Sequence, residues 1–289
     1  MADFEVVCPI RNGGENFAAT LSSLRDQGGT GGALLISDNF STDGQPWRSK
    51  LEALKGWTIR VIQPPAELGR VEHWNWACEQ SDAPCVKPMM SGDLLTTGAI
   101  ANLQNALNQN PDAAFVFGQT HLREADKQSL IGPPHGGGPM EWDTFLTLSL
   151  AHCNFTGTLS AIAFRGKNLR AALPFDPRWP WTADWRLLAA CARNAPCFYL
   201  PEPVCVLDRT QGRYSSRAST IWPSLREEWI FLTELARERF PDKCCPLLGS
   251  RINQLALAGA AKYGRATLPK WFRKPLGACY RVVNRLAKR

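Results

Sequence analysis

The 289-residue chain has no run of 18 or more apolar residues, so no membrane-spanning helix is expected. Its ten cysteines include no Cys-x-x-Cys pair. A chain this long, with 44% hydrophobic residues, builds a full core without disulfide staples. The cysteines are therefore expected as buried, reduced thiols, with Cys8, Cys85 and Cys205 inside apolar strands. The four histidines, His73, His121, His135 and His152, show no metal-ligand spacing. The N-terminus, Met1-Ala2-Asp3-Phe4-Glu5, is acidic and enters a strand at once, unlike a signal peptide. The glycine run from Gly28 to Gly32 precedes a strand instead of following one, which argues against a dinucleotide-binding dehydrogenase. Acidic residues are absent from Arg251 to Arg289, where ten Lys or Arg fall. Without those ten, the net charge of +7 becomes −3 over the first 250 residues. The basicity belongs to the C-terminal segment.

What is present is an alternation of short apolar runs with amphipathic ones. The patterning predicts strands over residues 4–10, 33–37, 58–62, 85–90 and 113–118. It predicts helices over 15–27, 46–55, 70–80 and 97–108, the last ending before Pro111. This β-α-β-α order argues for a mostly parallel sheet covered by helices on both faces. After Gln119 the rhythm changes. Residues 133–139 are rich in glycine and proline and read as a loop. A helix over 141–150, a strand over 159–164 and a helix over 183–193 follow. Two short strands, 197–200 and 204–207, come next, and from Ile221 onward the pattern reads as helices.

Chemistry concentrates where strands end. The apolar run Cys85-Val86-Lys87-Pro88-Met89-Met90 leads into Ser91-Gly92-Asp93-Leu94, setting one carboxylate at the C-terminal edge of a parallel strand. Ligands bind at that edge in open α/β sheets, and a hard oxygen ligand there suits a divalent cation holding a diphosphate. The second strand ends in Ser37-Asp38-Asn39-Phe40-Ser41-Thr42-Asp43-Gly44, so Asp38 falls on the same rim. A carboxylate there can accept from a nucleobase N–H or a ribose hydroxyl. The same residue types also suit a tight βα turn. Asp184 falls in the first turn of its helix, where the macrodipole favours the anion. It fits a capping acid equally well.

The N-terminal half resembles the family 2 glycosyltransferases. Pro9-Ile10-Arg11-Asn12, Ser23-Leu24-Arg25-Asp26-Gln27, the Asp38-to-Gly44 turn, Leu68-Gly69-Arg70 with Asn75-Trp76, and Ser91-Gly92-Asp93-Leu94 follow one another in that family's order. The resemblance covers about residues 4 to 216. It implies a GT-A fold: α/β, Rossmann-like, with a mostly parallel central sheet flanked by helices and here a helical C-terminal extension. It further implies a nucleotide-sugar half over 1–118, an acceptor half over 119–219 and the extension over 220–289. Carried over by position, Asp38 reads the base, Pro9, Arg11 and Ser91 line the donor pocket, and Asp93 binds a divalent cation, Mg²⁺ or Mn²⁺. Gly92 departs from the pattern, since the family usually has an acid there, and a weakly held cation follows. Ala183-Asp184-Trp185-Arg186-Leu187 resembles the family segment whose Asp is the general base. Gln211 stands where the family often has His, and Arg213 can pair with the diphosphate instead. Asn154, Thr156 and Trp181 are assigned to the acceptor side.

The basic end adds a second expectation. After Lys270-Trp271-Phe272-Arg273-Lys274-Pro275, a helix would carry Leu276, Cys279, Tyr280, Val283 and Leu286 on one stripe, with basic residues facing away. Such a segment reads as an interfacial anchor over residues 270–289. No nucleic-acid motif accompanies it, and the body of the chain is acidic. The expectation is a glycosyltransferase using a nucleotide-diphosphate sugar, a UDP-sugar being favoured. It would act on a glycan or lipid-linked glycan at the cytoplasmic face of a membrane. The alternatives are a non-catalytic nucleotide-sugar or glycan-binding partner, suggested by Gly92 and Gln211, and a sugar-1-phosphate nucleotidyltransferase. The latter needs a longer glycine-rich basic loop after the first strand than Arg11-Asn12-Gly13-Gly14-Glu15 provides.

Overall fold

The structure is a computed structural model that describes residues 3–27, 32–124, 127–134, 136–208 and 221–239. The chain divides into two compact units, Met1–Thr220 and Ile221–Arg289. Among the described residues of the first unit, ten strands form one sheet. They are β1 (Phe4–Ile10), β2 (Ala33–Asp38), β3 (Thr58–Ile62), β4 (Cys85–Pro88), β5 (Asp93–Leu95), β6 (Phe115–Glu124), β7 (Lys127–Ile131), β8 (Gly138–Met140), β9 (Ile162–Arg165) and β10 (Cys197–Asp208). Six helices accompany them: α1 (Gly14–Arg25), α2 (Arg70–Glu79), α3 (Ala99–Gln109), α4 (Trp142–His152), α5 (Gly166–Ala172) and α6 (Ala183–Asn194). The described part of the second unit is one helix, α7 (Ile221–Arg239).

The sheet order is β3-β2-β1-β4-β9-β6-β10-β5, with β7 beside β6 and β8 beside β10. Pairings are parallel from β3 through β4 and again between β6 and β10. Along the main path only β9 and β5 run against the rest. β1 is buried along its whole length, as an interior parallel strand should be. On one face α1 buries Phe17, Leu21 and Leu24, and α3 buries Ile100, Leu103 and Leu107. The other face carries an aromatic cluster in which Phe115, Phe117, Phe145, Phe155, Phe164 and Tyr199 meet ring to ring. The alternation of Phe115, Val116 and Phe117 along β6 serves both faces, since neighbouring side chains on a strand point oppositely.

Several elements differ from the sequence expectation. Residues 46–53 form a 3₁₀ helix instead of an α-helix, seating the buried Trp47 edge-on to Phe17. The strand expected over 159–164 is a 3₁₀ turn, Leu159–Ala161, followed by β9. The two strands expected near the end are one strand, β10, whose register against β6 slips around Pro203. A proline lacks the N–H that a regular ladder needs, so the irregularity falls there. β5, β7 and α5 carry no clear periodic signal, and β8 overlaps the end of the expected loop. The Gly28–Gly31 turn residues lie outside the described residues.

Candidate functional site

The order 3-2-1-4 reverses direction at β1, so the crevice beyond the C-terminal ends of β1 and β4 is a topological switch point. The loops leaving β1 and β2 are stitched together there. Asn12 adopts φ 50°, a left-handed conformation that asparagine tolerates. Its N–H donates to Ser41 Oγ at 2.8 Å, and its Oδ1 accepts from Thr42 N at 2.7 Å. Gly14 N donates to Asp43 Oδ2 at 2.7 Å. Gly13 allows a close approach, since a Cβ there would meet Phe17 Cβ at 2.7 Å and Ser91 Oγ at 3.1 Å. Ser91 is thereby set against the β1 loop.

Asp38 is buried, with Oδ1 accepting from Ser41 N at 3.1 Å and Oδ2 from the Gln45 amide at 2.5 Å. Its carboxylate closes the turn, and each oxygen keeps further acceptor capacity for a ligand. Asn39 performs a different task. Its amide donates to Leu68 O at 2.7 Å and accepts from Leu68 N at 2.9 Å, fastening the loop that enters α2. Replacing Asn39 with leucine removes both bonds and leaves two partly buried backbone groups of Leu68 without their side-chain partner. The expected loss is about 2–3 kcal/mol, read as a lower urea midpoint. Beneath Asp38, His73 Nε2 lies 2.6 Å from Ser37 Oγ. Burial pushes the His73 pKa down to about 4 against the pull of Asp38, so the imidazole is neutral at pH 7.

Asp93 is not at the end of β4. It opens β5, beyond the turn at Ser91 and Gly92 that its N–H closes onto Met90 O, and the residue is 1% exposed. Gly92 takes φ 89° in that turn. One face of α1 holds the segment in place. Thr20 Oγ1 donates to Asp93 O at 2.9 Å and accepts from Gly92 N, Ser23 Oγ accepts from Leu95 N, and Gln27 bonds Thr96 O and Ile100 N. The Ser23-to-Gln27 motif is thus a clamp on the segment that carries Asp93. The Asp93 carboxylate accepts from Thr158 Oγ1 at 2.8 Å.

Two residues with no role in the sequence reading complete this floor. Ser160 Oγ accepts from Met90 N at 2.8 Å, and the fully buried Lys87 donates its Nζ to Ser160 O. Burial pulls the Lys87 pKa down to about 8, opposed by Cys205, Cys8 and Asp93. A lysine inside an otherwise apolar strand was the available signal for it. Thr158 offered none, being one threonine in a loop.

The remaining assigned residues divide. Pro9 is buried within β1, opposite Ser37. Arg11 is exposed and paired with Glu67 at 2.5 Å. Thr156 is buried and donates to Asn154 Oδ1 at 2.7 Å, so this pair shapes the loop leading to Thr158. Arg213 and Gln211 lie outside the described residues, as does the 270–289 segment.

Asp184 stands half-buried in the first turn of α6, its Oδ1 accepting from Trp185 N at 2.7 Å. Burial raises its pKa to about 6, while the Trp185 N–H and the charge of Arg70 hold it back. A carboxyl poised there is mostly ionised at neutral pH yet basic enough to take a proton. Trp185 belongs to the core, with its indole N–H donating to Ser149 Oγ. Trp181 lies 4.9 Å beneath the Arg70 guanidinium. Among the described residues no three His, Cys, Asp or Glu come together as a metal cage. No helix among them is long and apolar enough to cross a membrane.

No family model matches the sequence, and no curated protein matches it. Solved structures do. Staphylococcus aureus TarS 1–349 superposes with a TM-score of 0.63 at 14% identity, over 94% of this chain and 77% of that one. The complex of TarS 1–349 with UDP-GlcNAc gives 0.63 at 14%, over 91% and 74%. Against the longer TarS structure the match spans 44% of that chain. The mannosyltransferase PcManGT of Pyrobaculum calidifontis, in complex with GDP-Man and Mn²⁺, gives 0.58 at 16%, over 99% and 86%. With the mostly parallel sheet and the rim at its switch point, these superpositions show that the chain has the GT-A glycosyltransferase fold.

Proposed function

We propose that the chain transfers a sugar from a nucleotide-diphosphate donor, a UDP-sugar by preference, to a hydroxyl of a glycan or lipid-linked glycan, with inversion at the anomeric carbon. One run of contacts carries this reading. Asp38 sits at the rim, Asn39 beside it fastens Leu68, and Arg70 two residues on reaches Pro180 and the charge of Asp184. The nucleotide-reading acid and the base are thereby attached to one rim. In the reaction Asp184 takes the proton of the acceptor hydroxyl as its oxygen attacks the anomeric carbon. The bond from that carbon to the diphosphate breaks, and the diphosphate leaves with the electron pair.

The described donor set offers a cation one carboxylate, Asp93, and glycine where a second acid would stand. One carboxylate with donor phosphates and water suits Mg²⁺ or Mn²⁺. Such an ion would offset charge on the leaving diphosphate. Arg213 is proposed to share that charge, and Trp181, Asn154 and Thr156 to shape the acceptor side.

The test is transfer from a panel of nucleotide sugars, with and without Mn²⁺, beside Asp184→Asn and Asp93→Asn. Absence of transfer or donor hydrolysis with every nucleotide sugar would overturn the reading. Residues 270–289 are proposed to hold the enzyme on an anionic membrane surface. Deleting them is expected to abolish sedimentation with phosphatidylglycerol vesicles, and unchanged sedimentation would remove that part.

A further inference from the structure

We infer that Arg70 is a positioning residue: it ties the first turn of α6 to the nucleotide half and supplies the cation that faces Asp184. This rests on the reading of Asp184 as the base. Arg70 is the first residue of α2, where the positive end of the helix dipole disfavours a cation. Its position is made favourable by other groups. The guanidinium lies 5.3 Å from the ring centroid of Trp74, one turn along the same helix, and 4.9 Å from that of Trp181. It also donates to the carbonyl of Pro180, four residues before Asp184. Two aromatic faces and a carbonyl thus seat one solvent-exposed charge at the start of α6.

Other charged groups around α6 are committed elsewhere or do not register at Asp184. Arg178 pairs with Asp176 at 2.6 Å, Arg186 lies over Trp179, and Arg193 lies over Trp142. On α5, Arg170 bonds the carbonyls of Ser81 and Ala83. Lys167 on α5, and Asp143 and His152 on α4, are not among the influences on Asp184, whereas Arg70 is. Arg70 therefore has two tasks that a packing residue lacks. It adds to the Trp185 N–H in lowering the pKa of Asp184, and it makes the position of Asp184 depend on the loop that Asn39 anchors beside the donor acid.

The test is a carboxyl ¹³C NMR titration of aspartate-labelled protein, with the Asp184 signal assigned by its loss in Asp184→Asn. Wild type should titrate near pH 6. Arg70→Met should move the midpoint up by roughly half a pH unit, and Arg70→Lys by less. Trp181→Leu, which loosens the seat while keeping the charge, should shift it in the same direction and serves if Arg70→Met does not fold. An unchanged midpoint in these variants overturns the inference. The titration needs no substrate. A failure to find any donor would therefore sink the enzymatic reading while the midpoint still decides the role of Arg70.

Discussion

Asp184→Asn is expected to lower sugar transfer by about 10²–10⁴-fold, the range for loss of a general base, without destabilising the fold. Asparagine keeps the acceptor oxygen for Trp185 N and nearly the same volume, but it cannot take a proton. The pH dependence follows from the raised pKa. Wild-type transfer should fall as pH drops through about 6, because the base becomes protonated. Stability runs the other way. The native state binds this proton more tightly than the unfolded chain, so stability contributed by Asp184 is greatest below the ordinary carboxylate range. It is lost as pH rises towards about 6. At neutral pH the half-buried anion costs on the order of 2 kcal/mol, after allowing for solvent screening. Asparagine relieves that cost, so its Tm should equal or exceed that of wild type. Parallel transfer and thermal-unfolding measurements check both parts. Wild-type transfer by Asp184→Asn would mean another group is the base, and a collapsed Tm would mean the residue is structural.

Asp93→Asn is expected to reduce transfer by about 100-fold or more and to remove the dependence of donor binding on a divalent cation. The asparagine oxygen can still accept from Thr158 Oγ1, so the β5 segment and its clamp on α1 should persist. The charge alone is lost. Lys87, buried below and held up in pKa partly by Asp93, would then lose part of its electrostatic support and become easier to deprotonate. Thr158→Val should act in the same direction but more weakly, by about tenfold, since it removes one hydrogen bond and no charge. Calorimetric titration of UDP with Mn²⁺ and with EDTA separates these effects. UDP binding indifferent to EDTA and to Asp93→Asn would exclude a metal role for this carboxylate.

The parallel core was legible because β1, β2 and β4 are mostly apolar and buried, and such runs between amphipathic helices have few other solutions. Asp38 was legible because turn-forming residues crowd the end of β2. Asp184 was legible as a first-turn acid, although its raised pKa was not. β5 escaped notice because three residues carry no periodicity, and its partner is β10, more than a hundred positions away. The meaning of Ser23 and Gln27 also escaped, because a polar residue on an amphipathic helix reads as solvent-facing until the segment it holds is known.

By itself the sequence determined the alternation of elements, the parallel run of β1 to β4 and the acid that ends β2. Each is written in a local pattern whose period matches a helix or a strand. Tertiary structure alone decided that Asp93 opens β5, that Thr158 holds its carboxylate from 65 positions away, and that Lys87 lies beneath it. It also decided that Arg70 meets the carbonyl of Pro180 across 110 positions and acts on the charge of Asp184. The reason is physical. Burial, desolvation and ion placement depend on which distant segments share a volume, and no periodicity along the chain encodes that proximity.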